Sequence, residues 1–314
     1  MAPGRTVIDA IGNTPIVELR RVVPPGSARI VAKLESANPT GGMKDRVARA
    51  MVDAAAADGR LAPGGTVVEY TGGTTGVSLA LICAARGYAA HFVTSDAFSE
   101  DKRLTMRAYG AAVTEIPSDR GRITRELIQA MIAKAEELGR RPGHWFCDQL
   151  KNADGEAGYH ALGDEMWRQA GRVDVLVQSV GTAHSIHGTA VGLRRHDPRI
   201  RVVAAEPAES PVLSGRPSGG HRIEGIGIGF LPPLWRASEV DEIQSATTDE
   251  AQSMARRLAR EEGIFAGSST GLNVIVALRV AKRLGPSATV GTIVIDSGLR
   301  YVSTEVYAPR ERLK

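Results

Sequence analysis

The chain has 314 residues, of which 43% are hydrophobic and 24% are charged, and its formal net charge is +4. This length is enough for two domains with sizeable cores, and the composition is that of an ordinary globular protein. The basic residues are dispersed rather than clustered, which excludes a nucleic-acid-binding stripe but suits a small anionic ligand.

Short apolar runs rich in β-branched residues alternate with longer amphipathic runs along the chain. The short runs are typical of buried parallel strands and cover residues 28–35, 66–70, 90–95, 111–117, 174–180, 201–207 and 291–298. The amphipathic runs predict helices over residues 44–59, 74–87, 100–110, 125–139, 156–170, 249–263 and 272–285. This order predicts an α/β fold with largely parallel sheets. We place the domains at 1–148 and 149–314, with the first strand able to belong to either.

Membrane and disulfide features are absent from the sequence. No apolar run approaches the length that a membrane-spanning helix needs, and the N-terminal residues lack the core of a signal peptide. The two cysteines, Cys83 and Cys147, have the spacing of neither a disulfide framework nor a metal site. We therefore expect a soluble protein of the reducing cytoplasm, without a metal and without a membrane or a nucleic acid as partner.

Ligands of open α/β sheets bind where strands end and helices begin, and the first such loop is ESANPTGGMKDR at 35–46. Lys44 lies in the first turn of the predicted helix, where the positive end of the helix dipole favours the neutral amine. A neutral lysine is what a Schiff base with a carbonyl compound needs. The alternative is a solvated helix lysine that pairs with Asp45 or Asp53.

The loop SVGTAHS at 179–185 follows a strand and opens a helical run. Backbone N–H groups at a helix start, a glycine, and the hydroxyls of Thr182 and Ser185 make a phosphate cradle. The loop lacks the P-loop lysine and the full dinucleotide fingerprint, which disfavours a nucleotide triphosphatase and a Rossmann dehydrogenase. An ordinary capped turn is the alternative.

A third loop lies in EYTGGTTG at 69–76, where the turn TGGTTG has hydroxyl and N–H groups but no charged side chain. It suits an anion of modest charge, such as a carboxylate, as well as it suits phosphate. The residues alone leave both ligands open.

Seven motifs follow one another along nearly the whole chain. They are IGNTP (11–15), NPTGGMKDR (38–46), TGGTTG (71–76), VGTAHSIHG (180–188), EGIGIGF (224–230), EEGIFAGSSTG (261–271) and DSGLRYVST (296–304). Each motif is weak alone, but in this order they resemble the cysteine synthase family of fold-type-II pyridoxal-phosphate enzymes, whose relatives include cystathionine β-synthase and the tryptophan synthase β chain. The resemblance implies two open, largely parallel twisted sheets flanked by helices, with pyridoxal 5'-phosphate as the cofactor.

The resemblance also implies cofactor-binding residues. Because NPTGGMKDR is similar to the family's NPTGS-x-KDR, Lys44 is expected to be the Schiff-base lysine and the catalytic residue. VGTAHS is similar to the family's GTGGT loop, which assigns the cofactor phosphate to five residues: Gly181, Thr182, Ala183, His184 and Ser185. GSSTG is similar to the motif whose serine hydrogen-bonds the pyridine nitrogen, here Ser269, for which a helix cap is the alternative. Gly225 matches a backbone contact near the cofactor and the substrate amine.

The substrate residues come from the same resemblance. TGGTTG is similar to the family's TSGNTG loop, which binds the α-carboxylate of the amino-acid substrate. This assigns the carboxylate to four residues of the turn: Thr71, Gly72, Gly73 and Thr75. Gln149 matches a glutamine near the same carboxylate.

The chain departs from the family pattern in two loops. The family's asparagine that contacts the cofactor's ring hydroxyl is Thr74, which is shorter and lacks an amide NH₂, and the first serine of TSGNTG is Gly72. Ala183 and His184 replace two glycines of the phosphate loop. His184 can contact the phosphate, lie over the active-site mouth or face solvent, and we expect a structural role for it. These departures leave the cofactor prediction firm but weaken the substrate prediction, and we expect Gly72 and Thr74 to decide substrate choice.

The resulting prediction is a homodimeric pyridoxal-phosphate enzyme for β-replacement on an O-activated serine, with O-acetylserine and sulfide giving cysteine. A serine at the ring nitrogen agrees with this, because it leaves the nitrogen closer to neutral than a carboxylate would. Alternatives with the same cofactor are O-phosphoserine as donor, another small nucleophile, or β-elimination of serine or threonine. Alternatives of other classes are a nucleotide-dependent oxidoreductase, which Lys44 argues against, and a non-catalytic docking or sensing protein on the same fold.

Overall fold

The protein is described by a computed structural model over residues 5–308. The described residues form ten strands: β1 Ile16–Leu19, β2 Arg29–Leu34, β3 Thr66–Tyr70, β4 Ala89–Ser95, β5 Ala112–Ile116, β6 His144–Phe146, β7 Val175–Ser179, β8 Arg201–Pro207, β9 Glu242–Ala246 and β10 Thr289–Val294. Within the same range they form eight α-helices: α1 Lys44–Ala57, α2 Thr74–Arg86, α3 Glu100–Ala108, α4 Arg125–Gly139, α5 His160–Ala170, α6 His184–Arg194, α7 Thr248–Arg257 and α8 Ser268–Leu284.

The chain forms two compact units. Within residues 5–308, the smaller unit contains residues 5–11 and Lys44–Gly158, and the larger unit contains Gly12–Met43 and residues 159–308. The division into domains at 1–148 and 149–314, which the sequence suggested, stays a prediction.

The smaller unit is built on a four-stranded parallel sheet with the strand order β5-β4-β3-β6. Its two middle strands carry fully buried apolar side chains, among them Val67, Val68 and Phe92. Central parallel strands are covered on both faces, which explains their continuous apolar sequence. The carboxyl end of β3 leads directly into the turn at 71–76, and α2 starts at Thr74.

The larger unit is built on a six-stranded sheet with the order β1-β2-β10-β7-β8-β9, in which only β1 runs antiparallel to its neighbour. The helix α8 buries Leu272, Val276 and Val280 at a spacing of one helical turn in the core of this unit. The predicted α/β fold with two largely parallel sheets is therefore confirmed. In residues 5–308, no helix has the length and apolar character needed to cross a membrane.

Three strands and the starts of two helices are among the differences from the sequence prediction. The strands β1, β6 and β9 were not predicted, and α8 begins at Ser268 rather than at residue 272. The helix can begin earlier because Gly267, with φ −75° and ψ 171°, supplies the extended backbone that precedes a helix. Residues 156–159, predicted as helical, belong to a 3-10 segment, Ala153–Tyr159, before α5.

Candidate functional site

Lys44 is the first residue of α1 and is half-buried. The backbone that precedes it is held in the larger unit, where the N–H of Met43 donates to the carbonyl of Ile295 at 2.9 Å and the hydroxyl of Tyr159 donates to the carbonyl of Met43 at 3.1 Å. In the smaller unit, the hydroxyl of Ser78 donates to Oδ1 of Asp45, the residue after Lys44, at 2.6 Å. The start of α1 is therefore fixed by hydrogen bonds on both sides of the lysine.

The turn at 71–76 is organised by the hydroxyl of Thr71. Its oxygen accepts the backbone N–H of Gly73 at 2.9 Å and of Gly76 at 3.1 Å. The N–H groups of Thr74 and Thr75, in the first turn of α2, have no hydrogen-bond acceptor within residues 5–308. Two N–H groups at the positive end of a helix dipole are a binding place for an anion.

Gln149 lies against this turn although it is far from it in sequence. Its Oε1 accepts the hydroxyl of Thr75 at 2.7 Å, and its Nε2 donates to the carbonyl of Tyr70 at 3.1 Å. An amide NH₂ has two donors, so one N–H of Gln149 remains available to a ligand. The smaller unit thus brings Gln149 and the turn together, with several neutral hydrogen-bond donors between them.

The two glycines of this turn have close neighbours that the sequence did not reveal. A Cβ at Gly72 would lie 3.0 Å from Cε1 of Phe98. At Gly73 it would lie 2.5 Å from Cδ of Lys102, and the φ of 122° at Gly73 disfavours any other residue. Phe98 and Lys102 come from the segment after β4, and neither carries a sequence motif that would have marked it.

The loop at 181–185 leads from β7 into the first turn of α6 in the larger unit. A Cβ at Gly181 would lie 2.7 Å from the carbonyl oxygen of Gly225, so the two predicted residues are brought together and only glycine fits at 181. Ala183 has a φ of 74°, in the left-handed region. That conformation costs a residue with a Cβ about 1–2 kcal/mol, which is a strain of the kind found at functional sites.

Polar groups converge on the same loop. Gln178 Nε2 donates to Oγ of Ser185 at 2.6 Å, and the N–H groups of Ser185 and Ile186 have no acceptor in the described part of the chain. The hydroxyl of Thr182 lies 2.8 Å from Nδ1 of His184. His184 is buried, so the hypothesis that it faces solvent is wrong.

Ser269 lies inside the first turn of α8 and is buried. The cap position belongs to Gly267, so the helix-cap interpretation of Ser269 is wrong. Its hydroxyl has no hydrogen-bond partner within residues 5–308, which leaves it available to a ligand. The turn is held in place by Asn273, which donates to the carbonyl of Ile293 at 3.0 Å and accepts the N–H of Ser179 at 2.7 Å.

The two cysteines are poor candidates for a nucleophile. Burial raises the pKa of the Cys83 thiol to about 12 and also raises the pKa of Cys147 well above its usual range. Since the thiolate is the reactive form, both thiols are held in the unreactive state. The described residues contain no group of three histidine, cysteine, aspartate or glutamate side chains arranged to bind a metal.

Comparison with known proteins gives consistent results. Residues 7–296 match the family described as "Pyridoxal-phosphate dependent enzyme". A cysteine synthase of Staphylococcus aureus strain Mu50 is 38% identical over 309 residues, which cover 98% of each chain. Among solved structures, a cysteine synthase (OASS) from Entamoeba histolytica has a TM-score of 0.90 at 33% identity, covering 97% of this chain and 91% of that one. An O-acetylserine dependent cystathionine beta-synthase from Helicobacter pylori has a TM-score of 0.89 at 34% identity, covering 98% and 100%.

Proposed function

The chain belongs to the family of pyridoxal-phosphate-dependent enzymes, and from this premise we propose that it converts O-acetylserine and sulfide to cysteine and acetate. Membership of this family confirms the resemblance that the seven motifs indicated, and the cofactor is pyridoxal 5'-phosphate. The observation that carries the proposal is the 38% identity to a cysteine synthase across 98% of both chains.

The larger unit fits the cofactor phosphate. A Cβ at Gly181 would lie 2.7 Å from the carbonyl oxygen of Gly225, so the loop can pass Gly225 only with a glycine at this position. The N–H groups of Ser185 and Ile186 and the hydroxyl of Ser185 are donors without an acceptor in the described residues. We assign the phosphate to residues 181–185, with His184 orienting the hydroxyl of Thr182 rather than binding the phosphate alone.

Ser269 would hold the ring nitrogen of the cofactor. Its buried hydroxyl can donate or accept one hydrogen bond without imposing a charge. When bound, pyridoxal phosphate supplies an electron sink that stabilises negative charge at the α-carbon of the amino acid. A neutral partner for the nitrogen keeps that sink moderate, which suits β-replacement.

Lys44 is proposed to form the Schiff base and to act as the base. It lies at the positive end of the α1 dipole, which favours the neutral amine that both roles need. Its Nζ would take the proton from the α-carbon and return it after the nucleophile has added.

The substrate carboxylate is proposed to bind at the first turn of α2. The N–H groups of Thr74 and Thr75 and the remaining amide N–H of Gln149 would donate to it. Thr71 shapes the turn through its hydroxyl, and the hydroxyl of Thr75 orients Gln149 rather than the substrate. Thr74 contributes its backbone and has no amide with which to reach the cofactor.

We also propose that the enzyme works as a homodimer in the cytoplasm. The dimer is supported by the family resemblance, and the compartment by two buried cysteines that form no disulfide. Light scattering of the purified protein should give twice the mass of one chain, and a monomer mass at micromolar concentration would contradict the dimer.

The test is the absorption spectrum followed by product analysis. The purified protein should show a visible band of the bound cofactor, which Lys44→Ala abolishes, and should release cysteine from O-acetylserine and sulfide. A colourless wild-type protein after reconstitution with pyridoxal phosphate would refute the assignment. The likeness to the Helicobacter pylori enzyme favours cystathionine formation as a second candidate, which replacing sulfide by homocysteine would detect.

A further inference from the structure

Glu69 is a buried acid that the proposed reaction does not use. It lies in β3 and is 0% exposed. Its Oε2 accepts the backbone N–H of Gln149 at 3.0 Å, whereas Oε1 is buried without a hydrogen-bond partner in the described chain. Burial raises the pKa of its carboxyl well above the usual range, which favours the neutral form. Burying a carboxyl group with one oxygen unpaired lowers the stability of the fold, so a functional role could explain its presence.

The residue that Glu69 holds belongs to a strained turn. Asp148, directly before Gln149, has a φ of 49°, in the left-handed region. The turn is fastened to β3 on both sides of this residue, because the N–H of Cys147 donates to the carbonyl of Val68 at 2.8 Å and the N–H of Gln149 donates to Glu69. Without the Glu69 acceptor, the second fastening is lost and a buried N–H is left unpaired.

The side chain of Gln149 depends on where its backbone lies. Its amide oxygen already accepts the hydroxyl of Thr75, and one of its two amide N–H groups already donates to the carbonyl of Tyr70. These bonds leave a single amide N–H, whose direction follows from the position of the Gln149 backbone and the plane of the amide. A small shift of the turn therefore misdirects that N–H while the rest of the unit keeps its fold.

We propose that Glu69 is a positioning residue for the amino-acid substrate, which holds Gln149 so that its remaining amide N–H meets the substrate carboxylate. This inference rests on the proposed function. The proposed role of Glu69 depends on its acceptor atom and the position of that atom, and not on a negative charge. It acts through Gln149, so its effect falls on the amino-acid substrate and spares the nucleophile.

Three variants at Glu69 and one control separate the position of the acceptor from the acidity of the side chain. Glu69→Gln keeps the acceptor in place and removes the acid, whereas Glu69→Asp keeps the acid and withdraws the acceptor by one carbon. Glu69→Leu removes both. The matched control is Thr94→Val in the neighbouring strand β4, which removes a fully buried hydroxyl that has no partner in the described residues.

The expected result is a split between kinetic constants. Glu69→Asp and Glu69→Leu should raise the KM for O-acetylserine about tenfold, the loss expected for one buried hydrogen bond, with kcat and the KM for sulfide within about twofold of wild type. Glu69→Gln and Thr94→Val should leave all three constants near wild type. An unchanged KM in Glu69→Asp, or a Glu69→Gln variant as impaired as Glu69→Leu, would overturn the proposal. Should Glu69→Leu not fold, the comparison of Glu69→Gln with Glu69→Asp still decides.

A second readout keeps this inference apart from the proposed reaction. If the wild-type protein makes no cysteine, the proposed function fails, and the same variants are compared by the dissociation constant of L-serine, read from the absorption of the bound cofactor. The same order of variants is expected, because serine carries the same α-carboxylate. Equal dissociation constants for wild type and Glu69→Asp would reject the role of Glu69.

Discussion

Gly181→Ala tests the closest approach in the proposed phosphate loop. The added Cβ would lie 2.7 Å from the carbonyl oxygen of Gly225. Because this oxygen belongs to the backbone, no rotation of a side chain can relieve the contact, and the loop itself must move. Gly181 does not lie in the left-handed region, so the contact is the whole cost of the substitution. Overpacking of this kind lowers the free energy of unfolding by about 1–3 kcal/mol.

The same movement displaces the N–H groups that we assign to the phosphate. We therefore expect the dissociation constant of pyridoxal phosphate to rise at least about fivefold, which corresponds to about 1 kcal/mol. Urea unfolding gives the stability, and titration of the apoprotein followed by absorption gives the affinity. Gly220→Ala is the control, because a Cβ there meets no atom within 4 Å and φ is not positive. If the two variants have equal stability and equal cofactor affinity, the close-contact argument is refuted.

Three further substitutions test other parts of the structure. Lys33→Met should lower the free energy of unfolding by about 3–5 kcal/mol, because it removes the buried ammonium group that lies 2.7 Å from the carboxylate of Glu165. In urea unfolding, the double variant with Glu165→Leu should recover most of this loss. Gly72→Ser should displace the ring of Phe98 and raise the KM for O-acetylserine, and Phe98→Leu should relieve this with a coupling of about 0.5–3 kcal/mol in a double-mutant cycle. The raised pKa of Glu69 means that its neutral form stabilises the fold fully below the unfolded pKa of about 4.3 and that this contribution is lost as pH rises toward the folded-state pKa. Wild type should therefore lose stability relative to Glu69→Gln by up to about 1.4 kcal/mol per pH unit above pH 4.3, and urea midpoints for both proteins that keep a constant difference from pH 5 to pH 7 would contradict this.

The central strands could be predicted from the sequence because they are apolar on both faces. The strands that were missed lie at or near the sheet edges, where fewer side chains are buried and the apolar pattern is weaker. For example, β9 reads EIQSA and leaves four of its five residues partly exposed, and β6 is only three residues long. Edge strands are defined by their pairing partner, which the local sequence does not contain.

The sequence could identify candidate site residues that belong to a local motif. It could not identify contacts between side chains that are distant in sequence. The resemblance identified Gln149, but its hydrogen bond to Thr75 depends on how β3 and β6 pair. The left-handed conformation of Ala183 was not predictable, because alanine is disfavoured there. Phe98 gives a physical reason for Gly72, since its ring occupies the space that a side chain at 72 would need.

The strand β2 pairs in parallel with β10, so the sheet of the larger unit combines strands that are made early and late in synthesis. During synthesis on a ribosome, β1 and β2 emerge early, whereas β10 follows roughly 10–50 s later at 5–20 residues per second. The larger part of the smaller unit, Lys44–Gly158, is made in this interval. The smaller unit can therefore fold first, while the apolar hairpin of β1 and β2 still lacks its neighbouring strand, β10. We therefore expect this hairpin, with one edge unpaired until β10 is made, to be the part of the sheet most exposed to mispairing during synthesis.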